Sequence, residues 1–240
     1  LLDCYWQCKE QVATLMQADA EDIAFMGSTS DACGAITSLI DWQPGDEVVL
    51  VSDTLEFPSV TLSVRHLERQ GVAIREVSAP ELIVAPSAIS EAITSRTRLV
   101  FVSHVSYRTG HRFCLKELSD AVRATGDAWL AVDASQSLGV VPVDAKLCDF
   151  VVSTAFKWTL GAHGVALLFW NRARLPDVVP SAIGWHSVLD DSAGSYQWKT
   201  DAQRFEPGNP PFLPIAVLSA GLNIINSIGV DAIAPHAMAL

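Results

Sequence analysis

Lys157 is the lysine of this sequence whose surroundings best suit covalent chemistry. It stands between Phe156 and Trp158 in the run STAFKWTLGAHG, directly after the apolar segment 150–153. Bulky apolar neighbours partly desolvate a lysine, which lowers its pKa and favours the nucleophilic free amine. The other four lysines lie in polar or helix-surface contexts. Taken alone, Lys157 also fits a side chain that packs its stem at a strand end and keeps its ammonium in water.

Asp133 places an acid at the end of another apolar run, AWLAVD, 24 residues before Lys157, and Gln136 follows three residues later. An acid at a strand exit can simply cap the next turn. It can also hold the protonated ring nitrogen that an electron-sink cofactor requires. Each residue alone is compatible with a structural role, whereas the pair favours a site.

The loop 27–30, Gly-Ser-Thr-Ser, runs from a strand-like segment into a helix-like one. Free backbone N–H groups, hydroxyls and the helix dipole make such a loop a natural phosphate cradle. Serine and threonine are also ordinary helix N-caps. A phosphate cradle, an aldehyde-trapping lysine and an acid for a ring nitrogen together describe binding of pyridoxal 5′-phosphate (PLP).

Apolar strand-like segments alternate with helix-like ones along most of the chain, so that each predicted strand must be covered on both faces. This pattern predicts an α/β fold with a mostly parallel sheet sandwiched by helices. Residues 171–212 are rich in Pro, Gly, Ser and Asp and are predicted to form a long surface excursion. Strands are predicted at 23–25, 47–51, 72–77, 99–103, 129–133, 150–153 and 165–170, and helices at 2–18, 31–40, 58–70, 86–94, 115–125, 213–228 and 230–240.

The composition argues against several classes of function. The net charge is −11 and no Lys/Arg cluster exists, which disfavours nucleic-acid binding. The longest apolar runs, such as 165–170, are too short to span a bilayer. The six histidines are dispersed, so no metal site is expected, and the five scattered cysteines fit free thiols in a reducing cytoplasm. The glycine fingerprints of nucleotide-binding domains are absent, although such a domain stays a possible alternative.

The sequence resembles the class V aminotransferase family of fold-type I PLP enzymes, which includes cysteine desulfurases, kynureninases and isopenicillin N epimerase-like proteins. The resemblance is carried by the segments IAFMGSTSDA, GDEVVLVSDTLEFPS, TRLVFVSHVSYRTG, WLAVDASQSLGVVPVD, CDFVVSTAFKWTLGAHG and RFEPGNPPF. It implies the large-domain fold of the PLP-dependent transferases over residues 1–212. Residues 213–240 would then be the helical start of a truncated small domain.

The resemblance also implies roles for particular residues. Lys157 would form the internal aldimine and later shuttle protons, and Asp133 would bind the pyridinium nitrogen. Gln136 would hydrogen-bond the ring hydroxyl, and Phe57 would stack on the cofactor ring. The remaining implied contacts, to phosphate or ring, are Thr29, Ser30, Thr154, Trp185 and Asn209. The segment around Asn209 commonly reaches a partner's site in this family, which implies a homodimer acting on an amino acid.

Four departures leave the reaction open. Gln136 stands where kynureninases carry His, and Phe156 stands where they carry a phosphate-binding Tyr. No cysteine occupies the position of the mobile catalytic cysteine of desulfurases, and the arginine that clamps the substrate carboxylate is absent. The leading hypothesis is a cytoplasmic PLP enzyme of aminotransferase or lyase type; a kynureninase-like or desulfurase-like lyase, an epimerase and a non-catalytic binding module are the alternatives.

Overall fold

A seven-stranded sheet forms the centre of the molecule in a computed structural model that describes residues 1–79, 82–124, 126–190 and 194–240. The strand order is β1-β7-β6-β5-β4-β2-β3, and a separate hairpin pairs β8 with β9. The strands are β1 (Ile23–Met26), β2 (Glu47–Val51), β3 (Ala73–Val77), β4 (Thr97–Ser103), β5 (Trp129–Asp133), β6 (Phe150–Thr154), β7 (Ala166–Trp170), β8 (Val188–Asp190) and β9 (Tyr196–Trp198).

Only β7 runs against the other strands of this sheet. The pairs β2–β3, β2–β4, β4–β5 and β5–β6 are parallel, whereas β7 is antiparallel to both β6 and β1. Alternate residues of each central strand pack into opposite cores: Val48 and Leu50 belong to one cluster, and Val49 and Val51 to the other. Burial on both faces explains why the sequence of these strands is apolar throughout rather than alternating.

Helices cover both faces of the sheet: α1 (Leu2–Met16), α2 (Thr29–Thr37), α3 (Pro58–Arg65), α4 (Pro86–Ala92), α5 (Leu115–Ala124), α6 (Phe212–Ile228) and α7 (Val230–Met238). Val12 of α1 and Leu118 of α5 pack in the core on one face, with α4 and α6 beside them, and Ile36 of α2 and Val64 of α3 pack on the other. The predicted α/β sandwich with a mostly parallel sheet is therefore confirmed.

Two of the element predictions differ from the structure. The helix predicted through residue 70 leaves α-helical geometry at Arg65 and continues as a 3₁₀ turn, His66–Gln70. The segment 171–212 is not wholly at the surface, because Arg204 and Phe205 are buried and Arg204 donates to the Val178 carbonyl at 2.6 Å. Positions 125 and 191–193 of the predicted elements lie outside the described residues.

The buried Lys9 is a clear correction to the sequence-based interpretation of the lysines. The sequence predicts a helix-surface position for Lys9, yet its side chain is fully buried, with Nζ 3.0 Å from Glu206 Oε1. Tyr5 donates to the other carboxylate oxygen at 2.6 Å, and the backbone N–H of Phe25 donates to Oε1 at 2.9 Å. This cluster ties α1 to β1 and to the segment that follows the 3₁₀ turn at 202–205.

Helix α6 packs against α1 and contributes Ile215, Leu218 and Leu222 to the core. The domain boundary predicted after residue 212 coincides with the start of α6. Assignment of 213–240 to a second domain stays a prediction. Among the described residues no single helix is long and apolar enough to cross a membrane, and α6 and α7 meet that criterion only as a pair bent by 81°.

Candidate active site

The sheet order brings four loops to one edge. Parallel β1, β6 and β5 end there, and antiparallel β7 begins there, between β1 and β6. Ligands of open α/β sheets bind at this carboxyl edge, because helix N-termini and loop side chains converge there. The loops hold Thr29 and Ser30 after β1, Asp133 at the end of β5, and Lys157 after β6.

Asp133 is almost completely buried at the end of β5. One carboxylate oxygen accepts the backbone N–H of Ser135 at 2.8 Å, and the Ser135 hydroxyl accepts the backbone N–H of Thr154 at 3.1 Å. Burial raises the pKa of Asp133, and the hydrogen bonds from Ser135 and the charge of Lys157 oppose that rise. The Asp133 carboxyl therefore has a fixed orientation, and its pKa depends strongly on any cation placed against it.

Lys157 reaches the same cavity as Asp133 and makes no ion pair with any of the described residues. Its Nζ lies 5.4 Å from the centroid of the Phe57 ring, a cation–π distance. The flanking rings of Phe156 and Trp158 are about half exposed, at 43% and 51%. Phe156 lines the same cavity as Lys157, and the ring that faces the amine is that of Phe57, which sequence reasoning identified only by resemblance.

The loop after β1 has the features of a phosphate cradle. The Ser28 hydroxyl caps α2 by accepting the backbone N–H of Asp31 at 3.1 Å. The Thr29 hydroxyl oxygen is buried and has no hydrogen-bond partner among the described residues, and Ser30 shares a 2.8 Å hydrogen bond with Ser59. A buried hydroxyl without a partner is costly unless a ligand satisfies it, so the loop fits a bound phosphate.

The cavity formed by these loops has a volume of about 340 Å³, which is within the range of cofactor sites. It brings together six of the predicted site residues. A larger groove of about 710 Å³ between α2 and α3 contains no lysine or carboxylate and offers no comparable chemistry. The cavity is lined by Gly27, Ser28, Thr29, Ser30, Phe57, Ser59, Asp133, Ser135, Thr154, Phe156, Lys157, His163, Gly164 and Val165.

Three predicted residues lie outside this lining. Gln136 sits beside it, and its side-chain oxygen accepts the indole N–H of Trp158 at 3.0 Å. Trp185 and Asn209 are exposed, on two loops that contact each other where Gly184 meets the backbone of Pro207. The structure does not bring Trp185 and Asn209 to the cavity of their own chain.

Glu56 and His163 are two residues near the site that sequence reasoning missed. Glu56 is buried, and its carboxylate accepts the backbone N–H of Ser103 at 2.9 Å and the hydroxyl at 2.5 Å. Ser103 pairs with Asp133 across β4 and β5, so a second buried carboxyl lies behind the first. Burial, assisted by the charge of Asp133, raises the pKa of Glu56 to about 7 against the hydrogen bonds from Ser103. The one feature of the sequence that points to Glu56 is its position directly before Phe57.

The family model of the class-V aminotransferases matches residues 1–240, the whole chain. The chain belongs to this family. A probable cysteine desulfurase of Methanothermobacter thermautotrophicus is 31% identical over 97% of this chain, and the isopenicillin N epimerase of Streptomyces clavuligerus is 30% identical over 79% of it. The chain spans 58% of the first of these class-V relatives and 48% of the second.

Solved structures of PLP-dependent proteins share the fold. A mutant of C-DES with glycine covalently linked to its PLP cofactor superposes with a TM-score of 0.86 at 25% identity, over 95% of this chain and 61% of that one. The complex of the cystine C-S lyase C-DES with cysteine persulfide gives the same TM-score and identity. These C-DES structures confirm the predicted large-domain architecture.

Proposed function

We propose that this chain binds PLP through Lys157 and forms the cofactor-binding part of an enzyme that acts on an amino acid. The observation that carries the proposal is the meeting of Lys157, the buried Asp133 and the unsatisfied Thr29 hydroxyl in one cavity. These three groups match the carbonyl, the ring nitrogen and the phosphate of PLP. The C-DES structure with PLP, 25% identical, supports the same cofactor.

PLP, when bound, supplies an electron sink for the bond broken at the substrate's α-carbon. The residues of this chain bind and orient it. Asp133 would hold the proton on the ring nitrogen, because a buried carboxylate pairs strongly with a cation. Phe57 would lie against one ring face, and Thr154 and the loop 28–30 would hydrogen-bond the phosphate. The Lys157 amine, once released, would take and return the proton at the α-carbon.

Within that reaction class we favour a lyase or transferase that acts on a small amino acid such as cysteine. The relatives named as desulfurases and the C-DES complex with cysteine persulfide support this choice. None of the five cysteines lines the cavity in the described part of the chain, so these residues place no persulfide-accepting thiol there.

We further propose that the protein is a cytoplasmic homodimer whose partner site receives Trp185 and Asn209. Both residues are exposed, on loops that meet at Gly184 and Pro207, and neither lines the cavity of its own chain. An exposed tryptophan at 66% accessibility on a folded loop suits contact with a second copy. Sedimentation with and without Trp185→Ala tests this part independently of the chemistry: the variant should shift toward monomer.

The experiment for the proposed function begins with a titration of the protein with PLP. Binding should produce visible absorbance that Lys157→Ala lacks, while Lys116→Ala, an exposed lysine paired with Asp120, should keep it. A panel of amino acids should then be turned over by the full-length gene product. Equal PLP absorbance in the Lys157→Ala variant would contradict the proposal. PLP binding without turnover of any amino acid would instead favour a non-catalytic binding module.

A further inference from the structure

We propose that His163 is a phosphate-binding residue, which supplies the positive charge that the hydroxyl-rich cradle lacks. This inference rests on the proposed binding of PLP and deepens it. His163 lies in the turn between Lys157 and β7 and lines the same cavity as Thr29, Ser30 and Lys157. Its imidazole forms no hydrogen bond and no ion pair with the other described residues, and its ring stacks on that of Phe156.

The sheet topology places His163 at the phosphate end of the cavity. Strand β7 lies between β1 and β6, with Ala166 opposite both Met26 and Thr154. The residues before Ala166 must therefore lie between the loop that follows Met26 and the loop that follows Thr154. Asp133, which would hold the ring nitrogen, is on β5 at the far side of β6. Across the edge, the order is cradle, His163, Lys157, Asp133.

The charges around the cavity leave a phosphate dianion undercompensated. Of the lining side chains, those beside the cradle are hydroxyls: Ser28, Thr29, Ser30 and Ser59. Asp31 adds a negative charge nearby, since a side-chain carbon built on Gly27 would meet its carboxylate at 2.8 Å. Among the described lining residues, only Lys157 and His163 can carry positive charge, and Lys157 is committed to the cofactor's carbonyl.

Phe156 holds the imidazole in place. The two rings are stacked with centroids 3.9 Å apart and an interplanar angle of 20°. Phe156 lines the cavity but has no polar atom with which to bind an anion. Stacking leaves the in-plane ring nitrogens of His163 free to donate, and an imidazole has at least one N–H donor in either protonation state. Phe156 therefore acts as the support and His163 as the donor.

The test compares PLP with pyridoxal, which has the same ring and aldehyde but no phosphate. Affinities for both are measured by visible absorbance in the wild type and in His163→Ala. Loss of one hydrogen bond to a charged group should weaken PLP binding roughly 10- to 100-fold. Pyridoxal binding should change less than about 2-fold, since the lost bond involves only the phosphate.

Two further variants separate a phosphate contact from a structural role. His163→Gln keeps a donor and should weaken PLP binding less than His163→Ala. Phe156→His in the His163→Ala background moves an imidazole to the neighbouring position and should restore part of the affinity. His66→Ala, in the groove between α2 and α3, is the matched control and should change nothing.

Equal weakening of PLP and pyridoxal by His163→Ala, or no weakening of either, would overturn the inference while leaving the proposed function intact. Unchanged PLP affinity with weaker binding of the amino acid would overturn it too, and would assign His163 to the substrate carboxylate. Absence of PLP binding by the wild type would refute the proposed function itself. Selective loss of PLP affinity supports the phosphate role.

Discussion

Lys9 and Lys157 both lie near aromatic rings, yet the structure gives them opposite environments. Lys9 is fully buried near the rings of Tyr5, Trp6 and Phe25, and its ammonium lies 3.0 Å from Glu206. Lys157 lines an open cavity with no acid in ion-pair contact among the described residues. Aromatic neighbours alone therefore do not indicate a reactive lysine; the presence or absence of a carboxylate partner distinguishes the two.

Burial lowers the pKa of Lys9, and the neighbouring charge of Glu206 opposes that shift. The Lys9 ammonium makes no well-directed hydrogen bond to Glu206, so the attraction between the two charges and the hydrogen bonds that Glu206 accepts from its neighbours hold the pair together. A buried pair of this kind is costly to break and offers no access to a ligand. Lys9 is thus a structural lysine, and Lys157 is the one that a carbonyl compound can reach.

The largest expected effect is the response of cofactor binding to Lys157→Ala. Without the amine no covalent bond to PLP forms, so borohydride-stable labelling should fall to background. The free energy of unfolding should change by less than about 1 kcal/mol, because the side chain lies in a solvent-open cavity. Absorbance spectra and urea unfolding measure the two effects. A large loss of stability would contradict the contrast drawn with Lys9.

Lys9→Ala should show the opposite pattern. Leaving Glu206 buried without its cation should lower the free energy of unfolding by roughly 3–5 kcal/mol. Labelling of the folded protein by PLP and borohydride should persist. Lys146→Ala is the matched control, because its exposed pair with Asp19 should contribute only about 0–1 kcal/mol. An unfolding free energy that Lys9→Ala leaves unchanged would show that the pair is dispensable.

Glu56, which lies behind the candidate active site, should make the stability of the fold depend on pH. Its folded pKa of about 7 lies above the ordinary value of 4.5 for the unfolded chain. The folded state therefore binds the proton more tightly than the unfolded chain does. The resulting contribution to the free energy of unfolding is complete below pH 4.5 and is lost as the pH rises through 7. The loss should reach roughly 3 kcal/mol. Glu56→Gln should flatten this part of the profile, measured by urea unfolding at pH 5 and pH 8.

The pH profile has its own control. Asp53→Asn changes an exposed acid in a surface pair with Arg65 and should leave the slope between pH 5 and pH 8 as it is in the wild type. If Glu56→Gln leaves that slope intact as well, Glu56 is not the group that titrates.

Trp158→Phe should have the smallest effect. The indole N–H can only donate, so it fixes the Gln136 amide with its oxygen toward the indole and its NH₂ group free to donate elsewhere. Removal of this exposed hydrogen bond should weaken PLP binding by about 2- to 10-fold, comparable to about 0.5–1.5 kcal/mol. In a Gln136→Ala background, Trp158→Phe should cause no further loss of PLP binding. Additive losses in the double variant would show that the two residues act independently.

The sequence was sufficient for the fold, because every central strand is a run of apolar residues separated by helix-forming segments. It was also sufficient to place Asp133 and Lys157 at the ends of two such runs, whereas Thr154 was identified by resemblance. It was not sufficient for Lys9, because its partner Glu206 is 197 positions away and joins it only through the packing of α1.

His163 was missed for a different reason. Its stack on Phe156 depends on the turn 160–164, in which Leu160 and Gly164 take φ values of 57° and 87°. Such left-handed conformations reverse the chain locally, and no period or charge pattern indicates them for leucine. Trp185 and Asn209 were identified by resemblance alone, because the site proposed to receive them belongs to a second copy of the chain.

Mapping the covalent label directly tests the central claim that Lys157, and not Lys9, binds the cofactor. The protein is saturated with PLP, reduced with borohydride, digested and analysed by mass spectrometry, with Lys9 and Lys157 in separate peptides. We predict close to one label per chain on the Lys157 peptide and none on the Lys9 peptide. Label spread over several lysines, or undiminished label in the Lys157→Ala variant, would contradict the account.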